Sequence, residues 1–531
     1  MIRVLALQAR RDRLTLTIWL LGFGVLAAGS VGAVGREFGA PTERVQVLRL
    51  ALSTPTLLAL RGAPNGGSLG SLTFFQVFTF LAVVVGLLNT FFVVRHTRAD
   101  EEAGRRELIA AAPVGRTTPL TATLLLGLLL NVAVAVLGAL AFSIAPLGAG
   151  AALGVGLTFG ATGLTFLAVG LFAAQLAPTG RSANGAGVLL VLLAYALRGA
   201  GDALGDPDPQ HLTLIPAWPS WLSPIGWGEL SYPTTGGTLT PLLLDVALFA
   251  VLTASAAFLH DRRDLGASLL RTRPGRAAAA PSLRGPFALA LRLQWGAALA
   301  WTIGAAVLGA VVGGLVRAVR PAAGLPQVRA VLDSLGGAGG ALTTVLVTAM
   351  LALVGVLAAA AAVQGVLRLR DEESSGRAEA LLARPISRAR WLLTGAGVGA
   401  GIGLVVVTGA TAAMVASLAT IGDGTGAVRA IGQGAAELPA VLAIAGGATL
   451  LTAGLPRIAV LATWTLTAIA IGVGLFGQLL DLPQGVQNLS PFGAVPVIPT
   501  GNWTPSIVCV LAGVALAALA VLAVRRRDLV S

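Results

Sequence analysis

The sequence predicts an all-α polytopic membrane protein of about 12 transmembrane helices, arranged as two tandem six-helix halves with both termini cytoplasmic. Three observations support this prediction. The 531 residues are 56% hydrophobic and only 11% charged. Apolar stretches of about 20 residues, the length that crosses a hydrocarbon core, recur along the chain. One charged segment occurs twice. So much apolar surface excludes both a water-soluble globule and a disordered chain.

The composition also excludes several kinds of catalytic and binding chemistry. All 36 basic residues are Arg, which excludes a P-loop lysine and a Schiff-base lysine. One cysteine, Cys509, and three histidines argue against a disulfide framework, and we expect no metal site. The net charge of +13 is better explained by arginines at the cytoplasmic membrane face than by nucleic-acid binding, so we expect no nucleic-acid partner.

Twelve apolar stretches are long enough to cross a bilayer. They cover roughly residues 14–34, 72–94, 118–145, 149–177, 185–204, 239–259, 294–316, 343–366, 391–418, 436–455, 458–477 and 505–524. The third and fourth are separated only by a short break around Pro146. Helical patterns in the predicted outer segments 42–61 and 326–335 add a short helix after the first span of each half.

The arginines set the orientation. With the N-terminus placed inside, 27 arginines fall in inner segments and 9 in outer segments, as the excess of positive charge on the cytoplasmic side requires. The first apolar run has the length of a span and no obvious cleavage site, so we expect a membrane helix there and not a cleaved signal peptide. The predicted location is the plasma membrane.

The charged repeat divides the chain into two halves. Residues 98–116 (RADEEAGRRELIAAAPVGR) align without gaps with residues 370–388 (RDEESSGRAEALLARPISR), 272 positions later. Residues 222–226 (LSPIG) are repeated at 489–493 (LSPFG). We therefore predict a first six-span half at 1–262, a cytoplasmic linker at 263–284 and a second half at 285–531. Six spans is an even number, so both halves have the same topology.

Each copy of the charged segment predicts a short helix along the inner membrane face. Glu101→Arg105 and Glu373→Arg377 are (i, i+4) pairs in the favourable order, and a proline ends each helix. A solvated loop that only sets topology is the simpler interpretation. Topology, however, requires arginines and not a matched order of Glu, Gly and Arg in both halves. The duplication indicates an exposed element that meets two equivalent partner surfaces.

These loops, the Leu-Ser-Pro-x-Gly motifs and the duplicated body resemble ABC-2-type permeases, in particular the tetronasin-type exporters of polyketide antibiotics from actinobacteria. The resemblance covers essentially the whole chain. It implies ABC-2-like halves and export of hydrophobic or amphipathic drugs or antibiotics by alternating access. It also implies a separate ATP-binding cassette subunit that holds ATP and Mg, so this chain carries no cofactor and is not itself an enzyme. The missing lysine agrees, because a Walker A loop needs one.

By the same resemblance, the repeated loops correspond to coupling helices that insert into the ATP-binding subunit. The implied coupling residues are Arg98, Glu101, Glu102, Gly104, Arg105 and Glu107 in the first loop, and Arg370, Glu372, Glu373, Gly376, Arg377 and Glu379 in the second. Two such loops on one chain imply two identical copies of the subunit. The second loop departs at Ser374, where the first has Glu102, so the two couplings need not be equal.

Two further groups of side chains are candidates for the transport route. Phe74, Phe75 and Phe78, with the amides Asn89 and Asn131, predict an apolar path for a large hydrophobic drug, with helix packing as the simpler interpretation. Arg198, Asp202 and Asp245 lie near the outer membrane edge and predict an outer gate, with interfacial snorkelling as the alternative. Ser223-Pro224 and Ser490-Pro491 predict paired outer turns.

Two other classes of protein compete with a permease driven by ATP. A proton-coupled transporter of the major facilitator type also has twelve spans in two halves, but it needs carboxylates within the membrane, and the predicted spans have no acidic residue at mid-span. A membrane glycosyltransferase or lipid-processing enzyme needs convergent acids on an outer loop, and Glu37 and Glu43 lack an obvious metal-binding or acid–base spacing. Dependence of transport on ATP plus a cassette subunit, or on a proton gradient, separates the two transporters.

Overall fold

Long apolar helices dominate the fold. The computed structural model describes residues 1–264, 266–270, 278–283, 285–319, 341–476, 483–498 and 501–527. In these ranges eleven helices are long and apolar enough to cross a membrane, and a twelfth apolar helix is slightly shorter. The predicted fold class, an all-α polytopic membrane protein of about 12 helices, is confirmed. The predicted outer segment at 326–335 lies outside the described residues. The chain divides into two compact units, Met1–Gly275 and Arg276–Ser531.

The first unit contains six long helices and several short ones. Its helices are α1 Ile2–Glu37, α2 Pro41–Leu52, α3 Pro55–Arg61, α4 Leu69–His96, α5 Arg98–Glu102, α6 Arg105–Ala110, α7 Thr118–Phe142, α8 Ala149–Leu176, α9 Gly180–Ala203, α10 Pro224–Leu230 and α11 Leu242–Arg262. A 3-10 turn, Trp218–Leu222, precedes α10. Strands β1 (Asp206–Asp208) and β2 (Thr213–Ile215) pair antiparallel, with Pro207 opposite Leu214.

The second unit repeats the series of long helices. Its helices are α12 Pro286–Val319, α13 Ala341–Ser374, α14 Arg377–Leu382, α15 Arg388–Ala419, α16 Gly424–Gly454, α17 Ala459–Phe476, α18 Gln484–Gln487 and α19 Thr504–Arg526. The break around Pro146 is present in the first unit, where α7 ends at Phe142 and α8 begins at Ala149.

Each unit packs around its fourth long helix. In the first unit α8 contacts α4, α7, α9 and α11, and α1 contacts α4 and α7. In the second unit α16 contacts α13, α15, α17 and α19, and α12 contacts α13 and α15. The order of neighbours is therefore the same in both units. Glycines permit the close approach of helices, as at Gly156 of α8, where an added Cβ would lie 2.3 Å from the carbonyl oxygen of Ala135 in α7.

The start of α16 differs from the prediction, with a consequence for the chemistry. The apolar pattern predicts a span at 436–455, but the helix begins at Gly424, where the Asp423 side chain accepts a hydrogen bond from the Gly426 N–H. The first turns are rich in glycine and polar residues, which hydropathy alone does not recognise as part of a span. Glu437 consequently lies within the helix, and the prediction that no acidic residue occurs at mid-span is wrong.

Candidate functional site

The repeated loops share an unexpected backbone turn. In the first, α5 ends at Glu102 and α6 begins at Arg105, with Gly104 between them at φ +70°. In the second, Gly376 has φ +71° between α13 and α14. A left-handed residue ends one helix and allows another to start in a new direction. The prediction of one continuous charged helix in each loop is therefore wrong.

Because the helix breaks at the glycine, the predicted (i, i+4) pair between Glu101 and Arg105 does not form. Arg105 instead bonds Asp100 at 2.7 Å. Asp100 also accepts two hydrogen bonds of 2.9 Å from Arg11 of α1. The start of α1 is thus joined to the first loop by a charge-assisted pair.

Buried ion pairs hold the base of each loop. The Glu101 carboxylate lies between Arg98, at 3.0 Å, and Arg263, at 2.6 Å. Arg98 also donates to the carbonyl oxygens of Pro178, Gly266 and Ala267. In the second loop the Glu373 carboxylate lies between Arg370, at 4.0 Å, and Arg527, at 2.5 Å. Two of the glutamates predicted for coupling, Glu101 and Glu373, therefore lie in internal ion pairs and are not exposed.

The remaining loop residues form an exposed surface in each unit. In the first loop the exposed residues include Glu102, Arg105 and Glu107, and the Leu108 side chain is strongly exposed at 76%. Arg106 is buried, and burial lowers the pKa of its guanidinium. The corresponding exposed residues of the second loop are Ser374, Arg377, Glu379 and Ala380. We call these two groups the loop tips. Glu372, also predicted for coupling, accepts a hydrogen bond from the Trp391 indole N–H at 3.1 Å.

The glycine turns give the first prediction. A Cβ at Gly104 or Gly376 would meet no atom within 4 Å, so only backbone strain opposes a side chain there. We expect Gly104→Ala or Gly376→Ala to cost about 1–2 kcal/mol of unfolding free energy, the usual cost of left-handed backbone for an L-residue. Gly→Asn should cost less, because Asn tolerates this conformation. Denaturation of the purified protein tests this; equal effects of Ala and Asn would contradict it.

The phenylalanines predicted for the substrate path lie in the core of the first unit. Phe74 and Phe78 stack with ring centroids 4.6 Å apart, and Phe78 lies 5.2 Å from Phe159 of α8. Phe75 is also buried. These contacts agree with the packing alternative for this conformation, and a role in substrate binding stays a prediction.

The two amides predicted for the path bind each other. Asn89 of α4 donates to Asn131 of α7 at 3.0 Å, and Asn131 donates back at 2.7 Å. Each also donates to a carbonyl of its own helix. This reciprocal pair joins two membrane helices, as polar side chains commonly do in lipid.

The predicted outer gate contains one buried cluster, which we call the Arg198 cluster (Arg198, Asp202 and Glu229). Arg198 bonds Asp202 at 2.8 Å and lies 3.7 Å from Glu229, and it donates to backbone carbonyls of α3. Burial, followed by the neighbouring Asp202 carboxyl, raises the pKa of Glu229 well above its ordinary value. The predicted Arg198–Asp202 pair exists, and its two side chains are fully buried.

The other outer residues occupy separate positions. Asp245 is buried in the first turn of α11 and accepts a hydrogen bond of 2.7 Å from Thr165 of α8. The Ser223 hydroxyl donates to the Ala194 carbonyl of α9, and the Ser490 hydroxyl donates to the Ala470 carbonyl of α17. Pro224 is the first residue of α10, and Pro491 lies in a turn. The duplicated Ser-Pro motif thus fastens the segment that follows the fifth long helix back to that helix in both units.

Sequence reasoning missed several residues that the structure brings into these sites. Glu229 gives no local signal, because its partners are distant in sequence. Arg263 and Arg527 do have a signal, since the segment RRDL occurs at 262–265 and again at 526–529. The apolar pattern places Glu437 at a span boundary, whereas the residue lies inside α16 and is only 1% exposed.

The long helices, their duplicated packing and the buried intramembrane polar pairs define a multi-pass membrane protein. Comparison with known proteins narrows this class. The chain is 36% identical over 535 residues to the multidrug efflux system permease protein Rv1217c of Mycobacterium tuberculosis, covering 99% of this chain and 94% of that protein. Residues 283–525 match the family model "Multidrug efflux system permease Rv1217c, C-terminal domain". The chain therefore belongs to the family of multidrug efflux system permeases, and the prediction of a drug-efflux permease is confirmed.

Proposed function

We propose that this chain is the permease subunit of an ATP-driven ABC-2-type exporter of the tetronasin-type group. The observation that supports this most directly is the duplicated loop. In each unit a left-handed glycine turns an exposed, mixed-charge tip away from a base held by buried ion pairs. A rigid base with an exposed tip suits insertion into a groove of a partner protein, because little order has to be gained on binding.

The ATPase is assigned to a partner chain. The sequence has no lysine for a Walker A loop, so ATP and Mg are held by a cassette subunit. Two loops with the same turn favour two identical copies of that subunit. The halves 1–262 and 285–531 then each receive one copy. In the proposed orientation both loops and both termini face the cytoplasm, in the plasma membrane, as the distribution of arginines requires.

The substrate is proposed to be a hydrophobic or amphipathic drug or antibiotic, moved outward by alternating access. The relative is named as a multidrug efflux permease, and an apolar cargo suits helices whose buried surfaces are mostly aliphatic and aromatic. Phe74, Phe75, Phe78, Asn89 and Asn131 stay candidates for the route, reached when α4 and α7 move relative to α8. The Arg198 cluster, Asp245 and the two Ser-Pro motifs stay candidates for outer closure.

A second candidate function is a proton-coupled drug transporter of the major facilitator type. One observation favours it: Glu437 is buried within α16, and both carboxylate oxygens have no hydrogen-bond partner among the described residues. Buried intramembrane carboxyls are common proton sites in pumps and transporters. The duplicated loop tips have no explanation in this second mechanism, which is why we prefer the first.

The energy source of transport distinguishes the ATP-driven mechanism from the proton-coupled mechanism. We expect proteoliposomes that contain the permease and the cassette ATPase encoded nearest to its gene to transport ethidium or Hoechst 33342 when ATP is added, with no loss on addition of a protonophore. The permease alone, with an imposed proton gradient, should give only background transport. Transport by the permease alone that a protonophore abolishes would overturn the proposal in favour of the proton-coupled mechanism.

A further inference from the structure

The last long helix of each unit ends at an arginine that binds the repeated loop. Arg263 follows the final residue of α11, and Arg527 follows the final residue of α19. Arg263 reaches Glu101 at 2.6 Å. Arg527 binds Glu373 through two hydrogen bonds of 2.5 and 3.0 Å. The same contact, between loop base and helix end, is thus made in both units.

A second arginine, the last residue of the repeated segment, binds the same helix end. Arg116, which closes the first repeated segment, donates to the carbonyl oxygens of His260 and Arg263. Arg388, at the matching position of the second segment, donates to the carbonyl oxygen of Arg527. Carbonyls at a helix C-terminus lack intrahelical donors and carry partial negative charge, so a guanidinium is a suitable partner. We call these contacts the helix-end clamp. Its members are Glu101, Arg116 and Arg263 in the first unit, and Glu373, Arg388 and Arg527 in the second.

Two separate sequence repeats meet in this clamp. The loop residues repeat at an offset of 272 positions, whereas the RRDL segment that contains Arg263 and Arg527 repeats at an offset of 264. The chain between the two elements differs in length between the halves, yet their contact is the same. Because the same contact forms in both halves despite this difference in length, we do not regard it as a chance pairing of surface charges.

We infer that the helix-end clamp couples motion of each loop to the last long helix of its unit, and that Arg263 and Arg527 are positioning residues for transport. The inference rests on the proposed function, in which the partner ATPase moves the loops. Movement of a loop would then reach the centre of its unit through the last long helix. In the first unit α11 packs against the central helix α8, and in the second unit α19 packs against the central helix α16.

Burial explains why the clamp transmits movement. The side chains of Glu101 and Glu373 are 2% and 1% exposed, and those of Arg263 and Arg527 are 5% and 17% exposed, so each carboxylate is fully buried and its arginine is mostly buried. Separating such a pair would leave an unpaired charge in a poorly solvated place, which is strongly unfavourable. When the loop moves, the inner end of the last helix follows, because breaking the pair costs more than shifting the helix.

The first test measures coupling in the complete complex. We expect Arg263→Gln combined with Arg527→Gln to lower transport per ATP hydrolysed at least tenfold, with both rates normalised to the amount of ATPase that co-purifies. The neighbouring exposed arginines give matched controls, and Arg262→Gln with Arg526→Gln should leave the ratio unchanged. If the Gln variants do not fold, Arg116→Ala with Arg388→Ala removes the other half of the clamp and should lower the same ratio. A wild-type ratio in a folded clamp variant would overturn the inference.

The second test does not depend on an ATPase. Spin labels at Ala103→Cys and Asp264→Cys, both exposed, report the distance between loop and helix end. The chain has one native cysteine, which Cys509→Ser removes. We expect a narrow distance distribution that broadens with Arg263→Gln and not with Arg262→Gln. A distribution that stays narrow with Arg263→Gln contradicts the clamp. Absence of any ATPase from the purified wild-type complex would instead contradict the proposed function and leave this result standing.

Discussion

Exchange of the exposed charges on both loop tips is expected to release the partner ATPase. The variant combines Arg105→Glu and Glu107→Arg with Arg377→Glu and Glu379→Arg, which keeps the net charge and alters no residue of the helix-end clamp. In the proposed complex each substitution reverses the charge that the loop tip presents to the partner, so an attractive contact becomes a repulsive one. We expect affinity to fall at least 100-fold, equivalent to about 2.8 kcal/mol, measured by co-purification and by binding to the permease in nanodiscs.

Variants with one altered loop refine this prediction. Exchange in the first loop alone, or in the second alone, should leave one ATPase bound per permease, if each loop receives one copy. The exposed residues Leu108 and Ala380 occupy matching positions, and the larger apolar surface of Leu108 predicts tighter binding at the first loop. Exchange at exposed α2 residues, Glu43→Arg with Arg49→Glu, is the matched control and should leave binding unchanged. Wild-type affinity in the variant with both tips altered would contradict the assignment of the loops.

The long apolar helices of the described residues could be predicted because lipid imposes a strong constraint on sequence. A span needs about 20 apolar residues, and every backbone donor must be satisfied within the helix. Helix ends are less constrained. The lead-in of α1 and the first turns of α16 contain polar residues or glycine, which hydropathy treats as loop. Asp423 shows the missing information, because its capping hydrogen bond starts α16 outside the apolar window.

The position of the loops could be predicted, and their internal geometry could not. The spacing of Glu101 and Arg105 suits a helical pair, and only the backbone angle at Gly104 prevents it. Glycine is compatible with both a helix interior and a left-handed turn, so the sequence left both open. One of the two partners of Glu101 is 162 residues away at Arg263. Such a contact depends on tertiary packing, and only the RRDL repeat gave a signal for it.

Replacement of Arg198 is expected to destabilise the first unit strongly. Its guanidinium is fully buried, pairs with Asp202 and lies close to Glu229. It also donates to the carbonyl oxygens of Leu58 and Ala59, which joins α3 to α9. Arg198→Ala leaves two adjacent acids and two carbonyls without their cationic partner. Removing one member of a buried pair typically costs about 3–5 kcal/mol, so we expect a lower Tm and a lower yield of folded protein.

Neutralising the acids should restore part of the loss, and this separates charge from packing. Arg198→Met with Asp202→Asn and Glu229→Gln removes all three ionisable groups at similar volume, and such replacements are often close to neutral in stability. Glu229 also makes stability depend on pH. Its pKa is raised in the folded state, so the folded protein binds the proton more tightly and loses stability as pH rises from the unfolded pKa towards the folded one. Glu229→Gln should remove that dependence from thermal unfolding measured across this range.

A triple variant no more stable than Arg198→Ala would show that Arg198 acts through its size and its carbonyl contacts. The charge of the cluster would then have no part in holding α3 against α9.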